Sequence, residues 1–151
     1  MTSPHDDRAQ APAVFRDIAV EFGAVFAFAR SRWTRHAQEV HPDLRGVGLM
    51  VLQTVARHGP LTATEVCQHL GIDKATISRQ VAALRELGFV SVDGSLADRR
   101  AQLLSLSPAG VAAIDELRAL AALDYEERFA GWSEADLKTL RALLHRFNER
   151  A

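Results

Sequence analysis

Residues 61–90 read LTATEVCQHLGIDKATISRQVAALRELGFV. Thr62-Ala63-Thr64-Glu65 has capping-box spacing, with Thr62 as N-cap and Glu65 at N3. The short helix it opens carries Val66 and Leu70 and stops at Gly71. Asp73 caps a second helix, in which Ile77, Val81, Leu84 and Leu87 recur at helical spacing before Gly88. Two short helices joined by a tight glycine-containing turn form a helix-turn-helix arrangement.

The outer face of the second helix carries the chemistry. With Ile77 at zero on a helical wheel, Val81 and Leu84 fall within about 40° of it. The opposite side presents Ala75, Arg79, Ala82, Ala83 and Glu86, flanked by Thr76 and Ser78. Small side chains allow close approach to a groove, hydroxyls bond phosphate, and arginine forks to guanine O6 and N7. The same wheel also fits a small-residue face packed on another protein element, and helix-turn-helix shapes occur in folds that bind no DNA.

Downstream, Phe89–Val92 and Ala101–Leu106 are strand-like, joined by DGSLADRR with Asp93-Gly94 as turn signal. Asp98, two positions before Arg100, can hold a guanidinium in a fixed direction for the narrow minor groove; the plain alternative is a surface ion pair. Ser107-Pro108 opens a long helix to about Phe129, and Ser133-Glu134-Ala135-Asp136 opens a last one. Upstream, a helix is expected from about Asp43 or Leu44 to His58 before Gly59-Pro60. Another runs from about Pro12 to His41, where Pro42 stops it. Its stripe of Phe15, Ile18, Phe22, Val25, Phe26, Ala29 and Trp33 is too long and aromatic for one small core, which points to a second chain as its cover.

Composition sets the outer limits. The 151 residues, 48% hydrophobic and 25% charged, suit one domain with helical arms and exclude wholesale disorder. No run reaches the ~18 apolar residues of a membrane helix, and MTSPHDDRAQAP does not read as a signal peptide, so a cytoplasmic location is expected. One cysteine excludes an internal disulfide or a multi-thiolate zinc site. The net charge of −1 argues against general polyanion coating. Only Lys74 and Lys138 among the 18 bases are lysine, however, and arginine suits planar recognition of phosphate or guanine. No Gly-rich phosphate loop, HExxH or GxSxG is present, so an enzyme is not expected.

Leu61 through Gly110, including LGIDKATISRQVAALRELGFV, the DRR run and LSLSPAG, resembles the winged helix-turn-helix of the multiple-antibiotic-resistance repressor (MarR) family. The resemblance implies a mainly α fold with a small β-hairpin wing. A flexible segment (1–12) would precede an N-terminal dimerisation helix (13–41), a winged helix-turn-helix DNA-binding domain (42–106) and C-terminal dimerisation helices (107–151). It implies a homodimer on double-stranded DNA with a palindromic operator, acting as a repressor released by a small ligand. Carried over by position, Ser78 and Arg79 would face bases or phosphates, with Lys74, Thr76 and Gln80 at the groove edge. Asp98, Arg99 and Arg100 would form the wing contact. Phe15, Ile18, Phe22, Leu137, Leu140, Leu144 and Phe147 would form the dimer interface. Family members often carry bases where this chain has Val92-Asp93, and residues 73–100 sum to only +1, so a moderate salt slope is expected.

For an effector, Trp33, His36, His41 and Arg45 combine aromatic and cationic groups suited to a small aromatic or anionic molecule; the alternative is a core tryptophan beside solvated arginines. His36 and His41 lack the i, i+4 spacing of a helical metal pair, His58, His69 and His145 stand alone, and Cys67 reads as a small buried hydrophobe, so no metal and no cofactor is expected. Two other functions stay open: a winged-helix dimer that binds proteins without DNA, and a metal-responsive regulator.

Overall fold

The computed structural model describes residues 12–94 and 102–149. Pro42 ends the first helix, α1 (Ala13–Val40), leaving His41 extended as its C-cap. The second helix, α2, runs Gly46–His58 and so begins later than Asp43 or Leu44. The cause is a turn in which the Leu44 amide donates to the His41 carbonyl at 3.0 Å, dropping Leu44 fully into the core. Gly46 then takes a φ of +55°, a left-handed conformation that costs glycine little.

A two-residue strand missing from the sequence reading, β1 (Leu61–Thr62), precedes α3 (Ala63–Leu70). After it come α4 (Lys74–Glu86), β2 (Val90–Gly94), β3 (Gln102–Leu106), α5 (Pro108–Arg128) and α6 (Glu134–Asn148). The sheet is antiparallel in the order β1-β3-β2, with Leu104 opposite both Leu61 and Val92. The architecture is therefore mainly helical with a small hairpin-bearing sheet. Ala101 lies outside the described residues, so the return strand is described from Gln102.

Phe89, expected in the first strand, instead completes the end of α4. Its amide donates to the Leu84 carbonyl and that of Gly88 to the Arg85 carbonyl, both at 2.9 Å, and Gly88 has φ +76°. This is a Schellman motif, which uses carbonyls that a helix end leaves unpaired. One core unites Leu44, Leu49, Leu52, Val66, Ile77, Leu84, Phe89, Leu104, Ile114 and Leu117. Burying each side chain of this size stabilises the fold by about 1.5–3 kcal/mol relative to exposure.

α5 is bolted to this unit at its first turn. The Ser107 hydroxyl accepts from the Gly110 amide at 3.0 Å and donates to the Gly88 carbonyl, while the Ser107 amide reaches the Phe89 carbonyl at 3.0 Å. A Cβ on Gly110 would lie 2.0 Å from the Phe89 carbonyl oxygen, a contact no side chain tolerates. Gly110→Ala must push α5 off the α4 terminus. We expect a loss of about 3 kcal/mol, the upper part of the range for overpacking, read as a lower urea midpoint with an unchanged m-value. Wild-type stability in this variant would show that the contact is not rigid.

Candidate nucleic-acid interface

Two local caps set the helix-turn-helix. In α3 the Glu65 amide donates to Thr62 Oγ1 at 3.2 Å and the Thr62 amide to Glu65 Oε2 at 2.7 Å, closing the capping box. The Thr62 amide and, at 2.9 Å, the Thr62 hydroxyl both donate to the Glu65 carboxyl and hold it below its usual range, aided by nearby His69. Gly71, at φ +64°, turns the chain out of α3. Asp73 then caps α4, its Oδ1 accepting from the Thr76 amide at 2.9 Å. The Thr76 backbone and hydroxyl bonds lower the Asp73 carboxyl, and Arg79 adds a smaller Coulombic pull.

Ile77 and Leu84 are buried on α4, which fixes the rotation of the helix about its axis. Lys74, Ala75, Ser78, Arg79, Ala82, Ala83 and Glu86 are consequently exposed, while Thr76 and Gln80 are half-buried. Gln80 is turned toward α2: its Oε1 would lie 3.0 Å from a Cβ on Gly48, so glycine permits this approach. The exposed face holds Lys74 at its start and Arg79 near its middle among alanines and a hydroxyl, and Arg79 Nη2 donates to Thr76 Oγ1 at 3.1 Å. In the hairpin, Asp93 and Gly94 are exposed and pair with Leu103 and Gln102. Asp98, Arg99 and Arg100 lie outside the described residues.

Far from α4, a second surface is apolar. Phe15, Ile18 and Phe26 of α1 are exposed, as are Leu144 and Phe147 of α6, and α6 has no buried residue at all. Phe22 and Phe147 bring the two helices together, ring centroids 5.1 Å apart. Leu137 and Leu140 are half-buried. Trp132 and Leu143, not singled out from sequence, extend the patch around a shallow hollow with Asp136 and Thr139. Their signal was weak because Trp132 sits in the turn between two helices, outside either periodic stripe.

Residues 43–101 match the model of the MarR family. Over that stretch, 59 of the 151 residues, the chain is similar to the MarR family. It is 32% identical over 78 residues to the HTH-type transcriptional regulator SAV2265 of Staphylococcus aureus, a match covering 52% of this chain and 51% of that protein. The chain thus spans about half the length of that relative. It is 26% identical over 134 residues to the HTH-type transcriptional repressor NicR of Pseudomonas putida, covering 85% of each. The wild-type MarR of E. coli in its apo form superposes with a TM-score of 0.60 at 21% identity, over 83% of this chain and 95% of that one. That last likeness concerns the fold alone. Members of the MarR family are transcriptional regulators, not enzymes.

The four residues assigned to an effector are spread out. Arg45 is exposed at the N-cap of α2, and His41 packs edge-on against Phe89 at 5.6 Å while its Nδ1 accepts from the Asp43 amide. Trp33 lines a crevice with Phe28, Ala29, Arg32, Ala121, Asp124 and Tyr125 that is too tight to hold a water molecule. Arg32 and Arg128 lie 5.4 and 4.4 Å from the Phe28 ring centroid. His36 is buried, with Nε2 2.6 Å from Asp124 Oδ2 and Nδ1 3.2 Å from Glu39 Oε2. Arg35 at 3.3 Å and Arg32 at 3.6 Å complete the ring of cations around Asp124. Asp124 is a residue that sequence reasoning missed, because it lies 88 positions from its main partner.

Histidine placement brings one correction. His58 and His69, which read as isolated, stack with ring centroids 4.4 Å apart and 13° between their planes, because the α2–α3 turn folds one helix end beside the other. His145 pairs with Glu149 at 3.3 Å. Among the described residues no group of three or more His, Cys, Asp or Glu is placed to hold a metal ion. Cys67 is partly buried against the core. No helix among the described residues is long and apolar enough to cross a membrane.

The Asp124 carboxyl is held below its usual range, first by the His36 hydrogen bond and then by the charges of Arg32, His36 and Arg35. A carboxylate with a depressed folded pKa contributes stability that is complete above its unfolded value and disappears as pH falls through the folded one. We expect Asp124→Asn to lower stability at neutral pH and to flatten its decline below about pH 5, where the unfolded chain begins to take up the proton. Thermal melts of both proteins across pH 3–7 (a range set by that pKa logic) would check this; parallel declines would contradict it.

Proposed function

We propose that this chain is a sequence-specific, DNA-binding transcriptional regulator, that it works as a homodimer on a palindromic operator, and that it is a repressor released by a small aromatic or anionic ligand. The observation that carries the reading is the division of α4. Ile77 and Leu84 seat one side in the core, while the other offers Ser78 and Arg79 from a face of alanines. A helix of that width enters a major groove, where arginine discriminates guanine through two acceptors. Lys74 at the first turn suits a phosphate. Asp98, Arg99 and Arg100 supply the wing contact to the minor groove in this reading.

A second copy supplies what one chain lacks. Phe15, Ile18, Phe26, Leu144 and Phe147 form an exposed apolar surface of the kind that subunit interfaces cover. Two α4 helices held by such an interface would meet half-sites ~10–10.5 bp apart. Repression is favoured by the likeness to NicR, described as a repressor. Ligand release rests on the family resemblance; the aromatic rings of Phe28, Trp33 and Tyr125 beside Arg32 would have to part, where α1 meets α5, to admit a molecule.

A mobility-shift assay on the duplex flanking the chain's own gene tests the whole proposal: a salt-sensitive shift of a palindromic fragment is expected, and no shift on any fragment would refute it. Arg79→Ala should weaken operator binding by about 1–3 kcal/mol and relax one base position per half-site. A loss equal on all sequences would reduce Arg79 to a phosphate contact. Arg100→Ala should weaken binding most where the flanks are A·T-rich; indifference to the flanks would exclude minor-groove insertion. For Leu144→Glu, sedimentation should show a monomer that has also lost the palindrome. A monomer binding it tightly would separate dimerisation from DNA reading.

A further inference from the structure

Arg79 is exposed, yet it is not free to point anywhere. Its Nη2 donates to Thr76 Oγ1 at 3.1 Å, one turn back toward the start of α4. Thr76 is itself held from behind by the N-cap, Asp73 Oδ1 accepting from the Thr76 amide at 2.9 Å. A threonine hydroxyl has one proton to give and lone pairs to receive. Here it receives the guanidinium N–H while the Thr76 amide is held by Asp73, so a carboxylate, a threonine and a guanidinium follow one another at i, i+3 and i+6. Residues at this spacing are neighbours on a helix. The negative charge of Asp73 also acts on Arg79 across the short distance.

An arginine on an open helix face has several rotatable bonds, and ordering them opposes binding. A bidentate contact to guanine requires the fork to arrive in one plane and one direction. We propose that Thr76, backed by Asp73, is the positioning residue that aims Arg79, and so determines which base pair this chain discriminates and how sharply. The proposal rests on the DNA-reading function above. It assigns Thr76 a different role from the groove-edge contact expected from sequence: its hydroxyl is occupied within the protein, and its effect on DNA passes through Arg79. Asp73 has two tasks, since the carboxylate that holds the Thr76 amide also sets a negative charge behind Arg79.

The test uses the full chain and one randomised duplex pool, from which wild type, Thr76→Val, Thr76→Ser, Asp73→Asn and Arg79→Ala each select a motif. Binding is then measured on the duplex that wild type selects and on its single-base variants. Valine keeps the shape of threonine without the hydroxyl. We expect Thr76→Val to lose about tenfold in discrimination at the base pair where Arg79→Ala loses it, equivalent to about 1.4 kcal/mol, with affinity for an unrelated duplex unchanged. Thr76→Ser, which keeps the hydroxyl, should restore discrimination, and Thr76→Val added to Arg79→Ala should cost nothing more. Asp73→Asn retains a good cap, so its helix content should hold while discrimination falls. If the valine variant fails to fold, Thr76→Ala replaces it.

Full discrimination by Thr76→Val would overturn the proposal, and so would a loss equal on every duplex, which would make Thr76 a phosphate contact. Full discrimination by Asp73→Asn would overturn the part given to Asp73. A wild type that selects no motif would refute DNA reading itself. A wild type with a motif and an unaltered valine variant would remove the Thr76 role alone.

Discussion

The rotational setting of α4 is imposed by two buried side chains, Ile77 and Leu84, spaced two turns apart on the same stripe. Successive residues on an α-helix are separated by about 100° around its axis, so a slip of one position would carry Arg79 toward the core and bring an apolar residue out. The two ends of the helix resist such a slip by different means. Asp73 binds the Thr76 amide, one of those the helix start leaves free, and the Schellman turn through Gly88 and Phe89 binds the carbonyls of Leu84 and Arg85 at the other end. Gly48 and Gln80 let α2 approach the middle. Everything presented outward, from Lys74 to Glu86, inherits its direction from this seat.

The same terminus connects the reading helix to the rest of the chain. Phe89 is at once the end of the α4 motif, a core residue and the carbonyl against which α5 begins. Ser107 spans the junction, capping α5 while donating to the Gly88 carbonyl. α5 therefore cannot shift along its first turn without pulling on the end of α4. The short connections make this region one mechanical piece, and the hairpin of β2 and β3 springs from within it.

What the sequence made legible follows from how far each interaction reaches. The caps at Thr62, Asp73, Ser107 and Ser133 each lie within three residues of the amide they bind, so the spacing alone announces them, and all four form. The exposed face of α4 follows from its buried stripe by subtraction. Contacts between residues distant in sequence leave no period to read. His36 with Asp124, the stacked His58 and His69, and the approach of Gly110 to Phe89 all depend on how helices are folded back on one another. Leu44 shows a subtler failure: an apolar residue after proline looked like the start of a helix, yet its side chain was needed in the core before the backbone could begin to coil.

α1 is a helix with two environments. Toward its C-terminus, Ala37 is fully buried and His36 nearly so, and the Asp124 cluster ties this half to α5. Toward its N-terminus, Phe15, Ile18 and Phe26 are exposed, and Phe22 meets Phe147 of α6. Charge is concentrated where the helix meets its own domain, and apolar surface where it leaves it. Polar clusters are sensitive to geometry, because a displaced partner leaves a desolvated group unpaired. The Asp124 cluster therefore resists displacement of this half of α1 against α5. In a dimer the separation of two α4 helices would be set at this joint, far from any base.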